Sequence, residues 1–255
     1  MEIRGAAAIS DQIAYGRLRF FRRSTPELGV FSRRSREEEW RRFEWAQRQA
    51  VLQVAAFHDR VYEQLGQPLA AIFVVHAMLL EDEELVKSTR RLVWEEGLTA
   101  EYAVSTVGER YSAAFSNMED PYMRARGVDV RDVARRVIFL LLGTPPSDPL
   151  QIGPAILVAD TFFPSEVMEL DRSRLLGLIS RRGCVDSHTA MLLRAYRIPA
   201  LAGVELEPKW DGHLALMNGF DHRLYLEPEP ELLEELRLRY EQGGQRYEKT
   251  ELLTV

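Results

Sequence analysis

The stretch Ser35-Arg36-Glu37-Glu38-Glu39-Trp40-Arg41-Arg42-Phe43 decides the fold, because the spacing of apolar residues changes here from about two to the helical period. Ser35 followed by Glu38 fits a capping box, in which each side chain accepts a hydrogen bond from the other residue's backbone N–H. The pattern then runs without a helix breaker to Gly66, and glycine commonly ends helices. The sequence therefore predicts one long helix between Ser35 and Gly66.

Four more helices are predicted downstream of this one. Their expected starts are Pro68, the acidic run Glu81-Asp82-Glu83-Glu84, Thr99, and the pair Asp120-Pro121. The third is expected to stop near Gly97 and the fifth at Gly143. Five helices within about 110 residues, joined by short connections, predict a helical bundle.

Short apolar segments typical of strands lie on both sides of the bundle. They cover residues 3–9, 15–21, 155–159, 175–179, 200–204, 214–217 and 224–226. Two helical stretches lie among the later ones, one after Pro164-Ser165-Glu166 and one after His188. We therefore expect an α/β fold, with one α/β domain built from both flanks and the helical bundle inserted into it.

Composition limits the classes of function. The chain has 255 residues, of which 46% are apolar and 28% charged, as in ordinary soluble globular proteins. A formal charge of −6 argues against a general nucleic-acid binder. A single cysteine, Cys184, excludes an internal disulfide framework and fits a reducing compartment. The apolar runs are too short to span a bilayer and no signal peptide is evident, so a cytoplasmic protein with no membrane partner is expected.

The stretch Gly183-Cys184-Val185-Asp186-Ser187-His188-Thr189-Ala190-Met191-Leu192-Leu193-Arg194 combines a turn glycine, a polar cap, a histidine and a helical run. Either Ser187 or Asp186 can cap the helix. His188 then lies at the positive end of the helix dipole, where an anion on its ring would gain about 0.3–1 kcal/mol. A phosphohistidine fits this position. A histidine that only caps or packs at a helix start fits it equally well.

Motifs along nearly the whole chain resemble one family when they are taken in order. They are Ile72-Phe73 with His76 and Met78-Leu79-Leu80-Glu81-Asp82-Glu83-Glu84-Leu85, then Met118-Glu119-Asp120-Pro121-Tyr122, Arg126 with Asp129-Val130-Arg131-Asp132, Ile156-Leu157-Val158-Ala159-Asp160, Pro164-Ser165-Glu166, Ser187-His188-Thr189-Ala190, Ile198-Pro199-Ala200 and Gly203. This order and spacing resemble Enzyme I of the bacterial phosphoenolpyruvate:sugar phosphotransferase system. The match covers only the N-terminal half of that family.

The resemblance implies a swivelling phosphohistidine α/β subdomain, residues 1–31 and 144–230, with an inserted α-helical subdomain, residues 32–143, that docks the carrier protein HPr. Residues 231–255 are expected to form a helical linker to a C-terminal domain that this chain does not contain. In the family that domain is a barrel that binds phosphoenolpyruvate and Mg²⁺ and phosphorylates the histidine aligned with His188, which passes the phosphoryl group to HPr.

The expected activity is therefore that of the N-terminal phosphotransfer part of a phosphoenolpyruvate-protein phosphotransferase. No cofactor is expected in this chain, and Mg²⁺ only with the barrel. Without the barrel, the chain is expected to accept phosphate backwards from phospho-HPr. Whether it forms a homodimer through the missing domain is left open.

The expected docking surface lies on two successive helices. Its apolar members are Ala71, His76, Met78, Leu79 and Leu85, with Asp82 and Glu84 as an acidic rim. Such a surface suits a partner with apolar residues ringed by basic ones. Arg126 is expected to pair with a carboxylate or phosphoryl oxygen of the partner. The alternative is that Ile72, Phe73 and Leu79 belong to the bundle core and that His76 only packs.

Three residues depart from the family pattern, of which Cys184, a small residue in a glycine-like slot, is the mildest change. Asp186 replaces a threonine in Gly-Gly-x-Thr-Ser-His-Thr, whereas Ser187 and Thr189 keep it. A carboxylate about 5 Å from a phosphoryl charge would repel it by roughly 3 kcal/mol at an effective dielectric of about 20. Val167 replaces a threonine that helps to orient the histidine ring. These changes favour an alternative: a catalytically weakened HPr-binding regulatory module that no longer transfers phosphate.

Other candidates carry less weight. The inserted helices argue against a phosphohistidine domain of the related pyruvate-phosphate-dikinase group. The remaining histidines, His58, His213 and His222, have no partner at metal-ligand spacing, so no metal site is predicted. Gly127, inside the fifth predicted helix, is expected to weaken that helix by about 1 kcal/mol relative to alanine.

Overall fold

The long helix predicted from the capping box is present in the computed structural model, which describes residues 2–4, 7–23, 26–144 and 148–242. Helix α1 spans Arg36–Leu65. The Glu38 N–H donates to the Ser35 hydroxyl at 3.2 Å, and the Ser35 N–H donates to the Glu38 carboxylate at 2.9 Å. Gly66 follows with a φ of 86°, a conformation that glycine adopts without strain. The predicted start and stop of this helix are confirmed.

The other four helices of the predicted bundle follow in order. They are α2 (Gln67–Leu80), α3 (Glu83–Glu95), α4 (Ala100–Ser116) and α5 (Pro121–Leu142). Asp82, Thr99 and Asp120 cap the last three by accepting backbone N–H groups of the first turn, which would otherwise lack a partner. Their apolar faces meet in a core; the Phe57 and Phe73 rings, for example, lie 5.5 Å apart.

The chain divides into two compact units. The helical unit comprises Arg23–Ser147 and Phe163–Met168, and the α/β unit comprises Met1–Arg22, Asp148–Phe162 and Glu169–Val255. These boundaries differ from the expected ones, most clearly at residues 163–168, which the sequence placed in the α/β subdomain.

Hydrogen bonds explain why residues 163–168 group with the helices. In the short helix α6 (Pro164–Glu169), the N–H of Ser165, its second residue, donates to the buried Asp132 carboxylate of α5 at 2.9 Å. The Ser165 hydroxyl donates to the same carboxylate. Glu166 forms a two-pronged ion pair with Arg23, at 2.6 and 2.7 Å. Both partners of this segment thus belong to the helical unit.

Gly127 allows α4 and α5 to lie close together. A Cβ atom at this position would lie 2.5 Å from the Ser116 hydroxyl and 2.8 Å from the Ser112 carbonyl oxygen. The buried Ser112 hydroxyl donates to the Gly127 carbonyl at 2.7 Å. Glycine is therefore required by packing here, a reason that helix propensity alone does not reveal.

A network of buried charges joins the start of α1 to the start of α4. Glu39 is 1% exposed and accepts from the Ala100 N–H at 3.0 Å, from Ser32 at 2.6 Å and from Arg42 at 2.7 Å. Arg42 also donates to Glu101. Burial alone would raise the pKa of Glu39, but the hydrogen bonds from Ser32 and Ala100 and the charge of Arg42 outweigh it and lower the pKa.

The α/β unit contains one eight-stranded sheet in the order β1-β8-β7-β3-β4-β5-β6-β2. The strands are β1 (Glu2–Arg4), β2 (Ala7–Ala8), β3 (Ile13–Phe20), β4 (Ala155–Ala159), β5 (Leu175–Ser180), β6 (Ala200–Ala202), β7 (Leu214–Asn218) and β8 (Arg223–Leu226). β3, β4, β5 and β6 pair in parallel, whereas the first half of β3 pairs antiparallel with β7. Fully buried aliphatic residues of these strands form the core.

The prediction of one continuous strand at residues 3–9 is wrong. This segment contains two short strands that pair at opposite ends of the sheet, β1 with β8 and β2 with β6. Since Arg4 and Ala7 are three residues apart, their Cα atoms lie at most about 11 Å from each other. In a flat sheet of eight strands the outer two would lie about 34 Å apart. The sheet is therefore strongly curled. The other six predicted strands are confirmed.

Two more helices complete the described α/β unit, α7 (His188–Ala195) and α8 (Pro230–Gln242), with a short 3₁₀ turn at Pro208–Trp210. The expected linker, residues 231–255, thus begins as a helix, and its part from 243 onward lies outside the described residues. No helix in the described ranges is both long and apolar enough to cross a membrane.

Candidate functional site

His188 is the first residue of α7 and follows the carboxyl end of β5. Strand β5 ends at Ser180, and residues 181–187 form the loop that leads into the helix. In parallel α/β sheets the carboxyl ends of the strands are where ligands and reacting groups gather. The ring is half-buried at this edge. The predicted position of His188 at a helix start is confirmed.

The start of the loop is bound to the neighbouring strand. The Arg181 guanidinium lies 2.8 Å from the Asp160 carboxylate, just beyond β4, and the Arg182 N–H donates to the Asp160 carbonyl at 2.7 Å. Gly183 then passes close to the sheet, because a Cβ atom there would lie 2.9 Å from the Ser180 hydroxyl. The predicted turn glycine is thus required by a close approach.

The start of α7 is held by three side chains. Ser187, and not Asp186, caps the helix, and its hydroxyl accepts from the Ala190 N–H at 3.2 Å. The Thr189 hydroxyl donates to the Phe162 carbonyl, beyond β4, at 2.9 Å. Arg194 donates to the Val185 carbonyl at 2.7 Å. These bonds fix the backbone on both sides of His188, so its ring leaves the helix at the positive end of the dipole.

Asp186 is exposed to solvent. Its repulsion of a phosphoryl charge is therefore screened, and at about 5 Å in a dielectric close to that of water it falls to about 1 kcal/mol. That is comparable with the benefit of the helix dipole, about 0.3–1 kcal/mol. Asp186 therefore weakens the site much less than a buried carboxylate would.

Val167 lies in α6, and its side chain is 1% exposed. It belongs to the helical unit together with Ser165. A valine has no hydroxyl with which to fix a ring tautomer. Its proposed effect on His188 stays a prediction.

Most members of the expected docking surface are accessible. Ala71, Asp82 and Glu84 are exposed, and Met78 is 67% exposed. Leu79 and Leu85 are half-buried at the edge of the bundle core. Because Asp82 also caps α3 and Glu84 lies 3.3 Å from Lys87, the acidic rim is held in place by the first turn of that helix.

His76 and Arg126, in contrast, are buried at 1% and 8% exposure. The His76 Nε2 atom lies 3.3 Å from Asp129, and Arg126 donates to the other oxygen of the same carboxylate at 3.0 Å. The Arg126 guanidinium also stacks on the Tyr122 ring, 4.1 Å from its centre. Direct contact with a partner would require both side chains to leave these positions.

Sequence reasoning missed three residues of these surfaces. Val74 and Tyr122 are 46% and 62% exposed. Val74 lies three residues after Ala71 and four before Met78, a helical spacing that would have revealed it as part of the same face. Arg194 was quoted in the motif but received no role, since nothing in its spacing indicates a bond to Val185.

Two family models match the chain. The N-terminal domain of the PEP-utilising enzymes matches residues 5–126, and their mobile domain matches residues 152–220. Phosphoenolpyruvate-protein phosphotransferases from Bacillus sp. (strain S) and Geobacillus stearothermophilus are each 34% identical over 252 residues, 96% of this chain. The chain spans 42% of the length of these relatives.

Solved structures agree with these matches. A solution structure of Enzyme I superposes with a TM-score of 0.68 at 25% identity, covering 95% of this chain and all of that one. A structure of the N-terminal domain of Enzyme 1 - Nitrogen gives 0.60 at 26% identity, covering 94% of this chain and all of that one. The expected fold, an α/β unit with an inserted helical bundle, is confirmed.

Proposed function

Because the chain belongs to the family of PEP-utilising enzymes, whose N-terminal and mobile domains it matches, we propose that it carries a phosphoryl group on His188 and exchanges it with an HPr-like carrier. The observation that supports this most is the placement of His188. Its half-buried ring stands at the start of α7, at the carboxyl edge of the parallel strands, between Ser187 and Thr189, whose side chains are both hydrogen-bonded to backbone.

The chemistry suits an imidazole. A ring nitrogen of neutral His188 attacks the phosphorus of a phosphohistidine on the carrier, and the N–P bond of the carrier breaks as the new one forms. The attacking ring releases its N–H proton and the departing ring takes up one, so no net proton is consumed. The helix dipole favours the anionic product by about 0.3–1 kcal/mol. Transfer in the opposite direction uses the same groups.

The carrier is proposed to dock on α2 and α3. Ala71 and Met78 provide exposed apolar area beside the carboxylates of Asp82 and Glu84. A carrier that presents apolar residues inside a basic ring complements this surface in shape and charge. His76, on the buried side of α2, and Arg126, on α5, both contact the Asp129 carboxylate and are proposed to support the surface from within the bundle.

The phosphoenolpyruvate step is assigned to a C-terminal barrel of the kind found in the family. Its Mg²⁺ would belong to that barrel, and the residues of this chain are proposed to act without a cofactor. A cytoplasmic location is proposed, since a single cysteine, Cys184, fits a reducing compartment.

The experiment is to mix this chain with phospho-HPr carrying a labelled phosphoryl group and to measure acid-labile label on the chain. We expect labelling of the natural sequence and none of His188→Ala. His58→Ala removes a histidine from the surface of α1 and serves as the matched control, with labelling unchanged. Label that survives His188→Ala, or a natural chain that takes up none, would refute the proposal.

A further inference from the structure

Arg194 lies six residues after His188 on α7, yet its side chain reaches back to the loop before the helix. Its guanidinium donates to the Val185 carbonyl at 2.7 Å. A cation in the last turn of a helix ordinarily interacts with the carbonyls at the C-terminal end. Here it instead binds a carbonyl that lies outside the helix, three residues before His188.

The loop is also held at its two ends and by one turn, in which the Ser187 N–H donates to the Cys184 carbonyl at 3.1 Å. At one end Gly183 packs against Ser180, and at the other Ser187 caps α7. Between them Cys184 and Asp186 are exposed. A short exposed segment of this kind opens readily unless side chains hold it. The bond from Arg194 supplies a charged contact at the middle of the loop.

We propose that Arg194 is a positioning residue for His188, an inference that rests on the proposed function. The Val185 carbonyl belongs to the peptide that continues into Asp186. By holding this peptide, Arg194 fixes the backbone from which both Asp186 and the Ser187 cap project. The His188 ring then samples fewer directions, so more of its encounters with a phosphoryl donor have the geometry that transfer requires.

Arg181, which lies on the loop itself, pairs with Asp160 beyond β4. Arg194 contacts the loop from the other side, from a position on the histidine's own helix. It does not touch the reacting atoms and is not a catalytic residue.

The test compares Arg194→Met, which keeps an unbranched side chain without donors, with Arg194→Lys, which keeps a donor and the charge. Arg172→Met is the control, since Arg172 stacks on Tyr196 just past the other end of α7. We expect Arg194→Met to slow transfer from phospho-HPr by about ten- to a hundredfold. We expect unchanged HPr affinity and melting temperature, partial recovery in Arg194→Lys, and no effect of the control.

The second readout is the imidazole NMR spectrum of His188 without any carrier. Arg194→Met is expected to shift or broaden these resonances, and Arg194→Lys to do so less. Unchanged transfer with unchanged resonances would overturn the inference, as would a loss of transfer that parallels a loss of stability and of HPr binding. If the natural chain accepts no phosphoryl group, the proposed function fails, while altered resonances in Arg194→Met still support the positioning role.

Discussion

The negative charge of Asp186 would repel a phosphoryl group on His188 at the proposed site. Because Asp186 is exposed, solvent screens this repulsion. A screened repulsion of about 1 kcal/mol corresponds to roughly a fivefold change in rate or equilibrium. We therefore expect Asp186→Asn to raise the rate of phosphoryl uptake by up to about fivefold at low salt, and by less at high salt because exposed charges are screened over about 10 Å at 0.1 M. Uptake from phospho-HPr measured across a salt series checks this.

Glu205→Gln, which removes another exposed carboxylate of the α/β unit, is the matched control and should have no effect. A large gain in Asp186→Asn that persists at high salt would mean that Asp186 acts as though buried. If Asp186→Thr combined with Val167→Thr leaves uptake unchanged while His188 is intact, these two residues are not the cause of any weakness in the site.

Gly127 gives a case in which packing and helix propensity oppose each other. Alanine would gain about 1 kcal/mol of propensity. It would also force apart α4 and α5, and overpacking of this kind costs about 1–3 kcal/mol. Since the Ser112 carbonyl at 2.8 Å is backbone and cannot rotate away, the overpacking cost exceeds the gain in propensity, and we expect Gly127→Ala to destabilise the helical unit by up to about 2 kcal/mol. Denaturant unfolding followed by circular dichroism measures this.

Thr106→Ala provides the comparison for Gly127→Ala. Thr106 is exposed on α4, so alanine there gains propensity without a clash and should stabilise slightly. Stabilisation by both substitutions would show that the two helices can separate at little cost.

For individual residues, the sequence predicted the helix caps and the position of His188 at a helix start. It did not predict which polar side chains are buried. Ser35, Ser187 and Gly66 carry local signals, because capping and chain reversal depend on neighbours within four residues. His76 and Arg126 were expected at a surface. His76 meets Asp129 from a different helix, and such a contact between distant parts of the chain leaves no mark in local spacing. The Arg126–Asp129 pair is local, three residues apart on α5, but the spacing alone does not tell that both side chains are buried.

Helix α2 is the element on which partner docking is proposed to depend. Met78 is 67% exposed and packs little in the free chain, so Met78→Asp should leave the fold intact. We expect it to weaken HPr binding by tenfold or more, because a central apolar contact is lost and an unpaired charge is buried in its place. Isothermal titration with unphosphorylated HPr gives the affinity directly.

Leu52→Asp is the control for the docking prediction, since Leu52 is 62% exposed on the outer face of α1. It should leave the affinity for HPr unchanged. If both substitutions reduce binding equally, the effect is general charge repulsion and α2 is not the docking element.

The elements themselves could largely be predicted, and their grouping could not. All five helices of the bundle begin at or next to the caps and prolines that indicate them, and α1, α3 and α5 end beside the predicted glycines. The ends of α2 and α4 carry no such glycine. The grouping differs at Phe163–Met168, a segment that contains most of α6 and that groups with the helices through Ser165 and Asp132. In the sequence this segment lies between two strands, β4 and β5, so it was expected in the α/β subdomain. The split of residues 3–9 was missed for a similar reason, because pairing partners more than 190 residues away decided it.

In the molecule as a whole, the buried Glu39 network predicts that the two units lose stability differently as the pH falls. The pKa of Glu39 is lowered below its usual value of 4.5, so the stability that its ionised form provides is present above that pH and is lost as the pH falls through the lowered value. We expect hydrogen exchange in α1 and α4 to accelerate as the pH is reduced below about 4.5, with the change reported relative to intrinsic exchange rates.

Glu39→Gln isolates the contribution of this carboxylate. It should lower the stability of the helical unit at pH 7 by about 1.5–3 kcal/mol, the range for hydrogen bonds to a charged group, and make the unit less sensitive to acid. Protection of β4 and β5, which belong to the other unit, should not change. Equal loss of protection in both units would show that they unfold as one cooperative body.

The two short strands at the amino terminus have a consequence for how the protein behaves in concentrated solution. β1 covers the free edge of β8 and β2 covers the free edge of β6, so both ends of the sheet are protected by strands that lie within seven residues of each other in the chain. Uncovered strand edges are templates for pairing with another molecule. A truncation or a bulky fusion that displaced these strands would uncover two such edges at once. The altered protein would be prone to aggregate through its sheet even though His188 and the described helices remained intact.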